Sequence, residues 1–382
     1  MEYYFKTEKM SVGYQGKALI HDIEIGLHKG EILTLIGPNG AGKSTILKSI
    51  AKQLELIHGV VYLDKIELNH MSGLELSQRM AVVFTEKIKT ELLTCEDVVA
   101  TGRYPYTGHF GILSKGDYVI VEEAMELVHV TEIRNQDFTK ISDGQRQRVM
   151  LARAICQEPE IIILDEPTSF LDVKYKLEFL SILQELRIRK GLTVIMSMHE
   201  LELAERISDK ILCINGEYVD RFGKPEEIFQ AGYIKSLFEI ETGSFDEENG
   251  SMELEPASGI ADIFVIAGGG SGRSIYRKLQ RERKAFRTGI IYENDLDFPV
   301  ARALAAELIA AKAFEPVDKR TFEHAQKAID SCSKVICCRR KFGSLETANK
   351  NLLEYASRSK KIVELTEQEA ENGRYLLYKS RY

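Results

Sequence analysis

Three short segments of this chain carry residues whose types and spacing suit chemistry on a phosphate. The first is Gly37-Pro38-Asn39-Gly40-Ala41-Gly42-Lys43-Ser44-Thr45. It follows the apolar run Ile32–Ile36 and precedes a helical pattern through Ile46, Leu47, Ile50 and Ala51, the strand, turn and helix that a phosphate-binding loop requires. Gly37, Gly40 and Gly42 allow successive N–H groups to face one concavity. The helix behind them adds its positive N-terminal end. In such a loop Lys43 reaches the β- and γ-phosphates and the Ser44 hydroxyl ligates Mg²⁺. The pattern predicts a nucleoside triphosphate site.

The second segment is Ile161-Ile162-Ile163-Leu164-Asp165-Glu166. Four aliphatic residues running into two carboxylates describe a buried parallel strand that ends at a ligand. Asp165 is expected to hold Mg²⁺ through water, and Glu166 to polarise the attacking water. The third is the apolar strand Leu192–Met196, which ends at Ser197-Met198-His199 and places His199 near a γ-phosphate. Two weaker signals accompany them. Ser142-Asp143-Gly144-Gln145 opens a helix and can present a hydroxyl and N–H groups to an anion. Tyr14, just before the strand that leads back to the loop, offers a ring to stack on a purine.

These segments need a scaffold, and the rest of the pattern supplies one. The opening residues alternate and turn as antiparallel strands do. Val60–Leu63 and Met80–Phe84 read as strands, and about residues 90–135 read as a helical insertion interrupted by the turn-rich Gly102–Gly108. At 382 residues two domains are expected. No apolar stretch is long enough to span a bilayer, and the first residues have neither a basic nor an apolar leader pattern. Six cysteines, scattered apart from Cys337-Cys338 and without metal-ligand spacing, fit a reducing compartment.

Taken together the segments resemble the ATP-binding cassette (ABC) family of ATPases over residues 1–240. Gly37–Thr45 matches its Walker A segment, Ile161–Asp165 its Walker B, Glu166 its catalytic glutamate and His199 its switch histidine. Ser169-Phe170-Leu171-Asp172 matches the D-loop, and Ile141-Ser142-Asp143-Gly144-Gln145 the signature, with Asp143 in place of a glycine. The resemblance implies a P-loop NTPase α/β fold: a RecA-like core, an antiparallel β subdomain and a helical subdomain. It implies ATP and Mg²⁺ as ligands, Lys43, Asp165, Glu166 and His199 as catalytic residues, and Tyr14 beside adenine. Where the family has a Mg²⁺-sensing glutamine this chain has Thr85, with Glu86 beside it: either Glu86 replaces the glutamine as an oxygen ligand or the coupling differs here.

The stretch Val98–Gly108 is similar to ATPases of ferric-siderophore, haem and cobalamin importers. That implies separate transmembrane permease subunits, a second ATPase chain paired head to tail, a substrate-binding protein that acts indirectly, and a peripheral place on the cytoplasmic face of the membrane. The alternative is a soluble ATPase of the same type, regulated by a ligand-sensing C-terminal domain and acting on a non-transport partner. Nucleic acid is not expected, because no basic tract is interleaved with aromatics.

Residues 241–257 read as an acidic linker: Glu239–Glu255 holds seven acidic residues and no basic one. Beyond it, 258–382 carry a net charge of +7 against −14 for 1–257, which fits two units that attract, an anionic ligand for the second, or equally the solvated faces of two ordinary domains. The pattern restarts with a strand at Asp262–Ala267, the turn Gly268-Gly269-Gly270-Ser271-Gly272, and a helix. Further strands are expected at 289–292, 313–317, 334–338 and 361–365, with helices at about 298–311, 320–331 and 344–357. This is a Rossmann-like doubly wound parallel sheet. Its Gly268–Gly272 turn, with Asn294 and Asp295 nearby, is the candidate ligand site.

Overall fold

Alternating buried and exposed residues build the first two strands, β1 (Phe5–Tyr14) and β2 (Lys17–Ile23), which pair antiparallel. The structure, a computed structural model, describes residues 2–84, 92–108, 111–247, 250–339 and 341–363. The chain divides into two units, Met1–Phe238 and Glu239–Tyr382.

In the first unit β3 (Ile32–Ile36) is buried at every position and feeds α1 (Lys43–Ile50). β4 (His58–Leu63) returns antiparallel to β1, and β5 (Met80–Val83) follows. Three helices come next: α2 (Cys95–Ala100), α3 (Lys115–Leu127) and α4 (Asp143–Cys156). Each starts at a capping box, from Thr94, Ser114 and Ser142, which satisfies N–H groups the first turn leaves unpaired. Then come β6 (Ile161–Asp165), α5 (Val173–Lys190), β7 (Thr193–Ser197), β8 (Lys210–Asn215) and β9 (Tyr218–Gly223).

One sheet joins these strands in the order β4-β1-β2-β9-β8-β3-β7-β6-β5, with short strands Gly26–Leu27 and Ile66–Glu67 added on β1 and β4. From β8 to β5 neighbouring strands run parallel. Their aliphatic residues, with Ile46, Leu47 and Ile50 of α1, form a continuous core, and each such side chain buried contributes about 1.5–3 kcal/mol. The expected turn at Gly102–Gly108 is instead a 3₁₀ segment, Thr101–Tyr106, pressed on α4. A Cβ at Gly102 would lie 2.3 Å from the Arg153 carbonyl oxygen. That contact explains the glycine.

The second unit opens where a bare linker was expected. Ser244–Asp246 and Ser251–Glu253 pair as an antiparallel hairpin, and Glu253 is ion-paired with Arg277. The unit continues with β10 (Ile263–Ile266), α6 (Arg273–Arg281), β11 (Phe286–Tyr292), α7 (Phe298–Leu304) and β12 (Glu307–Ala311). It ends, among the described residues, with α8 (Lys319–Asp330), β13 (Lys334–Cys337), α9 (Thr347–Arg358) and β14 (Ile362–Val363). The strands are all parallel in the order β12-β11-β10-β13-β14, a doubly wound sheet. α6 and α7 pack on one core through Tyr276, Leu279, Val300 and Leu304. α8 and α9 contribute Ala325, Ile329, Leu352 and Ala356 to a second core.

One expectation is corrected. The helix read over 298–311 ends at Leu304, and Glu307–Ala311 is the strand rather than 313–317. Glu-Leu-Ile-Ala-Ala favours helix locally, but pairing with Arg287–Tyr292 decides the outcome. In 313–317, Phe314 takes a left-handed backbone with φ 60°, and Pro316 has no N–H for a ladder. The part of the expected strand 361–365 beyond Val363 lies outside the described residues.

Candidate functional site

The parallel register sets the site. Leu35 of β3 and Asp165 of β6 both stand beside Ser197 of β7, so three strands end at one level. The glycine loop, the two carboxylates and His199 all leave from that edge. Gly37 must be glycine: its φ is 149°, and a Cβ there would sit 2.5 Å from the Ile214 carbonyl oxygen.

Lys43 is 5% exposed, and its Nζ donates to the carbonyl oxygens of Gly37 at 2.7 Å and Pro38 at 3.0 Å. Burial lowers the pKa of this ammonium, while Glu166 and Asp165 act the other way. A polyphosphate in the loop would replace the two carbonyl acceptors with charged oxygens, which make stronger bonds.

Asp165 is 6% exposed. The Ser197 hydroxyl donates to its Oδ1 at 2.6 Å and accepts the Glu166 N–H at 2.9 Å. One serine therefore fixes both carboxylate residues. Glu166 has a left-handed backbone, φ 48°, a conformation that costs a non-glycine residue about 1–2 kcal/mol. It turns the side chain out of the strand. There its Oε1 lies 2.6 Å from His199 Nε2, and its Oε2 accepts from Ser169 Oγ at 3.2 Å. A carboxylate held this way has the fixed orientation that a general base requires.

Tyr14 is 53% exposed, with its hydroxyl 3.2 Å from Thr45 Oγ1, so an aromatic face stands beside the helix that follows the loop. Ser142 and Gln145 bond each other: the Ser142 hydroxyl accepts the Gln145 N–H at 3.2 Å, and Gln145 Oε1 accepts the Ser142 N–H at 2.9 Å. Asp143 is paired with Arg146 at 2.5 Å, which offsets the charge it brings to this helix start. Gly144 faces Phe170 and Leu171. Gly144 thus sets this helix start against the 169–172 loop, while Ser142 and Gln145 bond each other and Asp143 bonds Arg146. Thr85 and Glu86 lie outside the described residues.

In the sequence Ser197 is read only as a strand end and Ser169 only as part of the D-loop match, and neither is given a role in holding Glu166. The signal was present, since Ser197 directly follows the last apolar residue of a strand that ends at His199.

Loop, carboxylates and histidine at the ends of parallel strands define a P-loop ATPase. The comparisons with known proteins narrow this. Residues 20–169 match the family described as ABC transporter, and residues 286–380 match one described as the MJ0874 family. An uncharacterised ABC transporter ATP-binding protein of Methanocaldococcus jannaschii is 41% identical over 73% of this chain and 96% of its own. The iron(3+)-hydroxamate import ATP-binding protein of Bacillus subtilis is 35% identical over 62% of this chain and 87% of its own. Among solved structures, a metal-chelate type ABC transporter in an inward-facing conformation matches with a TM-score of 0.56 and 26% identity, over 66% of this chain and 96% of that one. The chain belongs to the ABC transporter ATP-binding proteins, and it is an ATPase.

In the second unit the Gly268–Gly272 turn departs from the expected anion cradle. Asp297, fully buried, accepts N–H bonds from Gly268 at 3.0 Å, Gly272 at 2.9 Å and Arg273 at 3.2 Å. Asp295 accepts from Gly269 at 2.7 Å. The loop already holds two carboxylates of its own domain. Burial pushes the Asp297 carboxyl up, against the pull of the Gly272, Arg273 and Gly268 N–H groups and with the repulsion of Asp295.

Proposed function

We propose that this chain is the ATP-hydrolysing subunit of an importer for a metal chelate of the iron–siderophore, haem or cobalamin kind. The observation that carries the reading is the Asp165–Ser197–Glu166–His199 chain of hydrogen bonds beside Lys43. The import relative and the metal-chelate transporter support the cargo class, as does the Val98–Gly108 stretch.

Gly37 to Thr45 wrap the phosphates, with Gly40, Ala41 and Gly42 supplying backbone N–H groups and Pro38 and Asn39 shaping the turn. Lys43 leaves its two carbonyls for the β- and γ-phosphates, and Tyr14 takes the adenine. The donors offered to a Mg²⁺ ion are the Ser44 hydroxyl and the Asp165 carboxylate, hard oxygen ligands of the type that ion prefers, with Glu86 as a further candidate from its place in the sequence. When bound, the ion neutralises charge on the phosphates. Glu166 accepts the proton side of the attacking water's hydrogen bond, and its fixed backbone saves the cost of orienting it. His199 holds Glu166 in this state and passes to the γ-phosphate when nucleotide arrives.

Ser142, Asp143, Gly144 and Gln145 serve the ATP of a second copy. Two chains then pair head to tail around two ATP molecules. ATP shifts the pair toward the closed state in proportion to its preference for that state, and hydrolysis releases it. The work goes to permease chains in the membrane, on whose cytoplasmic face the pair sits, and a substrate-binding protein acts through them. Among the described residues no helix is long and apolar enough to cross a membrane, so another chain would have to form the pathway.

The test is to isolate the tagged chain from detergent-solubilised native membranes and reconstitute the isolated assembly. Co-isolation of a multi-spanning chain, with ATP hydrolysis stimulated by a metal chelate, is the expected result. A soluble partner in its place would contradict the importer reading.

A further inference from the structure

The crevice of a doubly wound sheet lies where its strand order reverses, at the carboxyl ends of the strands. In the second unit that point is between β10 and β13, and the glycine loop there is closed to anions. Four backbone N–H groups, of Gly268, Gly269, Gly272 and Arg273, are bonded to Asp297 and Asp295. A phosphate entering this loop would meet two carboxylates and find the donors occupied. The Arg339 guanidinium, which lies against Gly268 and Gly269, is paired with Glu346 at 2.5 Å. The phosphate-binding use of this fold is therefore blocked by the domain itself.

Space remains at the same end of the sheet. A cavity of about 820 Å³ opens where β11 ends at Tyr292 and beyond β12, with Tyr292, Phe314 and Phe322 as its rings and Glu315, Asp318 and Glu346 as its carboxylates. Its single lysine, Lys319, lies 3.6 Å from Glu323 on the same helix. Glu346 is matched by Arg339, and Asp318 also caps α8 by accepting the Thr321 N–H at 2.7 Å. The balance of the walls is negative, although the unit as a whole is basic.

Phe314 adds an independent sign. The residue is 92% exposed and its φ is 60°, a left-handed backbone that bulky residues rarely adopt. Such outliers gather at ligand clamps. An aromatic face held in water at the mouth of an acidic, ring-lined cavity is complementary to one kind of guest. Aromatic faces attract cations and stack on flat rings, and carboxylates supply the matching charge.

We infer that the second unit binds a flat organic cation, an aromatic ring system with a positive charge and no phosphate, in the cavity between Tyr292, Phe314 and Phe322. The site is built from residues of the second unit and does not depend on the importer reading.

The experiment uses the full chain saturated with ATP and Mg²⁺, so that the ATP site is filled. Binding of the cationic dye proflavine is followed by fluorescence and compared with the anionic dye 1-anilinonaphthalene-8-sulfonate. One proflavine site per chain is expected, weakened about tenfold by Phe314→Ala and about threefold or more by Glu315→Gln with Asp318→Asn. Both changes are mild for the fold, because Phe314 and Glu315 are exposed and asparagine also caps helices. Three results would overturn the inference: no proflavine site with ATP present, equal affinity for the anionic dye, or proflavine affinity unchanged in both variants.

Discussion

His199 Nε2 lies 2.6 Å from Glu166 Oε1, across the ends of two neighbouring parallel strands. With Glu166 ionised, that nitrogen carries the proton, and the ring holds the carboxylate in one orientation. Ser197 holds the same residue by its backbone N–H. Glu166 is therefore held at both its carboxylate and its backbone.

Glu166→Gln keeps the shape of the side chain and removes its basicity. ATP binding should be unchanged, while kcat falls by about 100- to 10,000-fold. Nucleotide titration beside steady-state phosphate release checks both parts. Hydrolysis at the original rate would remove Glu166 from the role of base.

Ser197→Ala tests the support rather than the base. It removes the donor to Asp165 and the acceptor for the Glu166 N–H. Supporting partners of this kind are typically worth about 10- to 100-fold in activity or metal affinity. The expected outcome is a lower kcat with a raised Mg²⁺ requirement, and Ser197→Thr, which keeps the hydroxyl, should recover part of both.

The Arg103–Asp117 pair gives a pH-dependent prediction. Arg103 is buried and donates to Asp117 Oδ1 at 2.9 Å, to the Cys156 carbonyl oxygen at 2.9 Å and to Glu158 at 2.9 Å. The Ser114 hydroxyl and N–H, and then Arg103, hold the Asp117 carboxyl below its usual range. A lowered folded value means that the stabilisation is complete above the unfolded value of about 4. It is lost as pH falls through the folded value. Asp117→Asn should cost about 1–3 kcal/mol at pH 7 in urea unfolding, and the gap from the parent should close as pH drops below about 4. A gap that stays constant down to pH 3 would contradict the assignment.

Asp297→Ala leaves the N–H groups of Gly268, Gly272 and Arg273 without their acceptor. Each buried unpaired donor costs about 1–3 kcal/mol, so the second unit should unfold at markedly lower urea. Added inorganic phosphate is not expected to restore it, because the Asp295 side chain still accepts the Gly269 N–H of the loop.

The ATP site was legible in the sequence because its parts are local. A glycine loop between strand and helix, and aliphatic residues ending in Asp165-Glu166, each announce their own geometry within a few residues. What stayed hidden depends on residues far apart in the chain. Asp297 fills a loop about 25 residues earlier by folding back across a helix and a strand, and a glycine-rich turn looks the same whether empty or filled. Glu307–Ala311 has the composition of a helix and becomes a strand because β11 offers an edge. Gly102 read as a turn residue, yet it is fixed by the Arg153 carbonyl of a helix some 50 residues later.

The central claim is that each ATP lies between Lys43 of one copy and Ser142 of another. Mixing two inactive variants tests it directly. Lys43→Ala disables the loop and Ser142→Arg disables the helix start, so each alone should hydrolyse almost no ATP. In a mixed pair one site combines both lesions, and the other has an intact Lys43 and an intact Ser142. Partial recovery of phosphate release on mixing, rising with the fraction of mixed pairs, is the predicted result. No recovery when mixed pairs are shown to form would contradict a site shared between two chains.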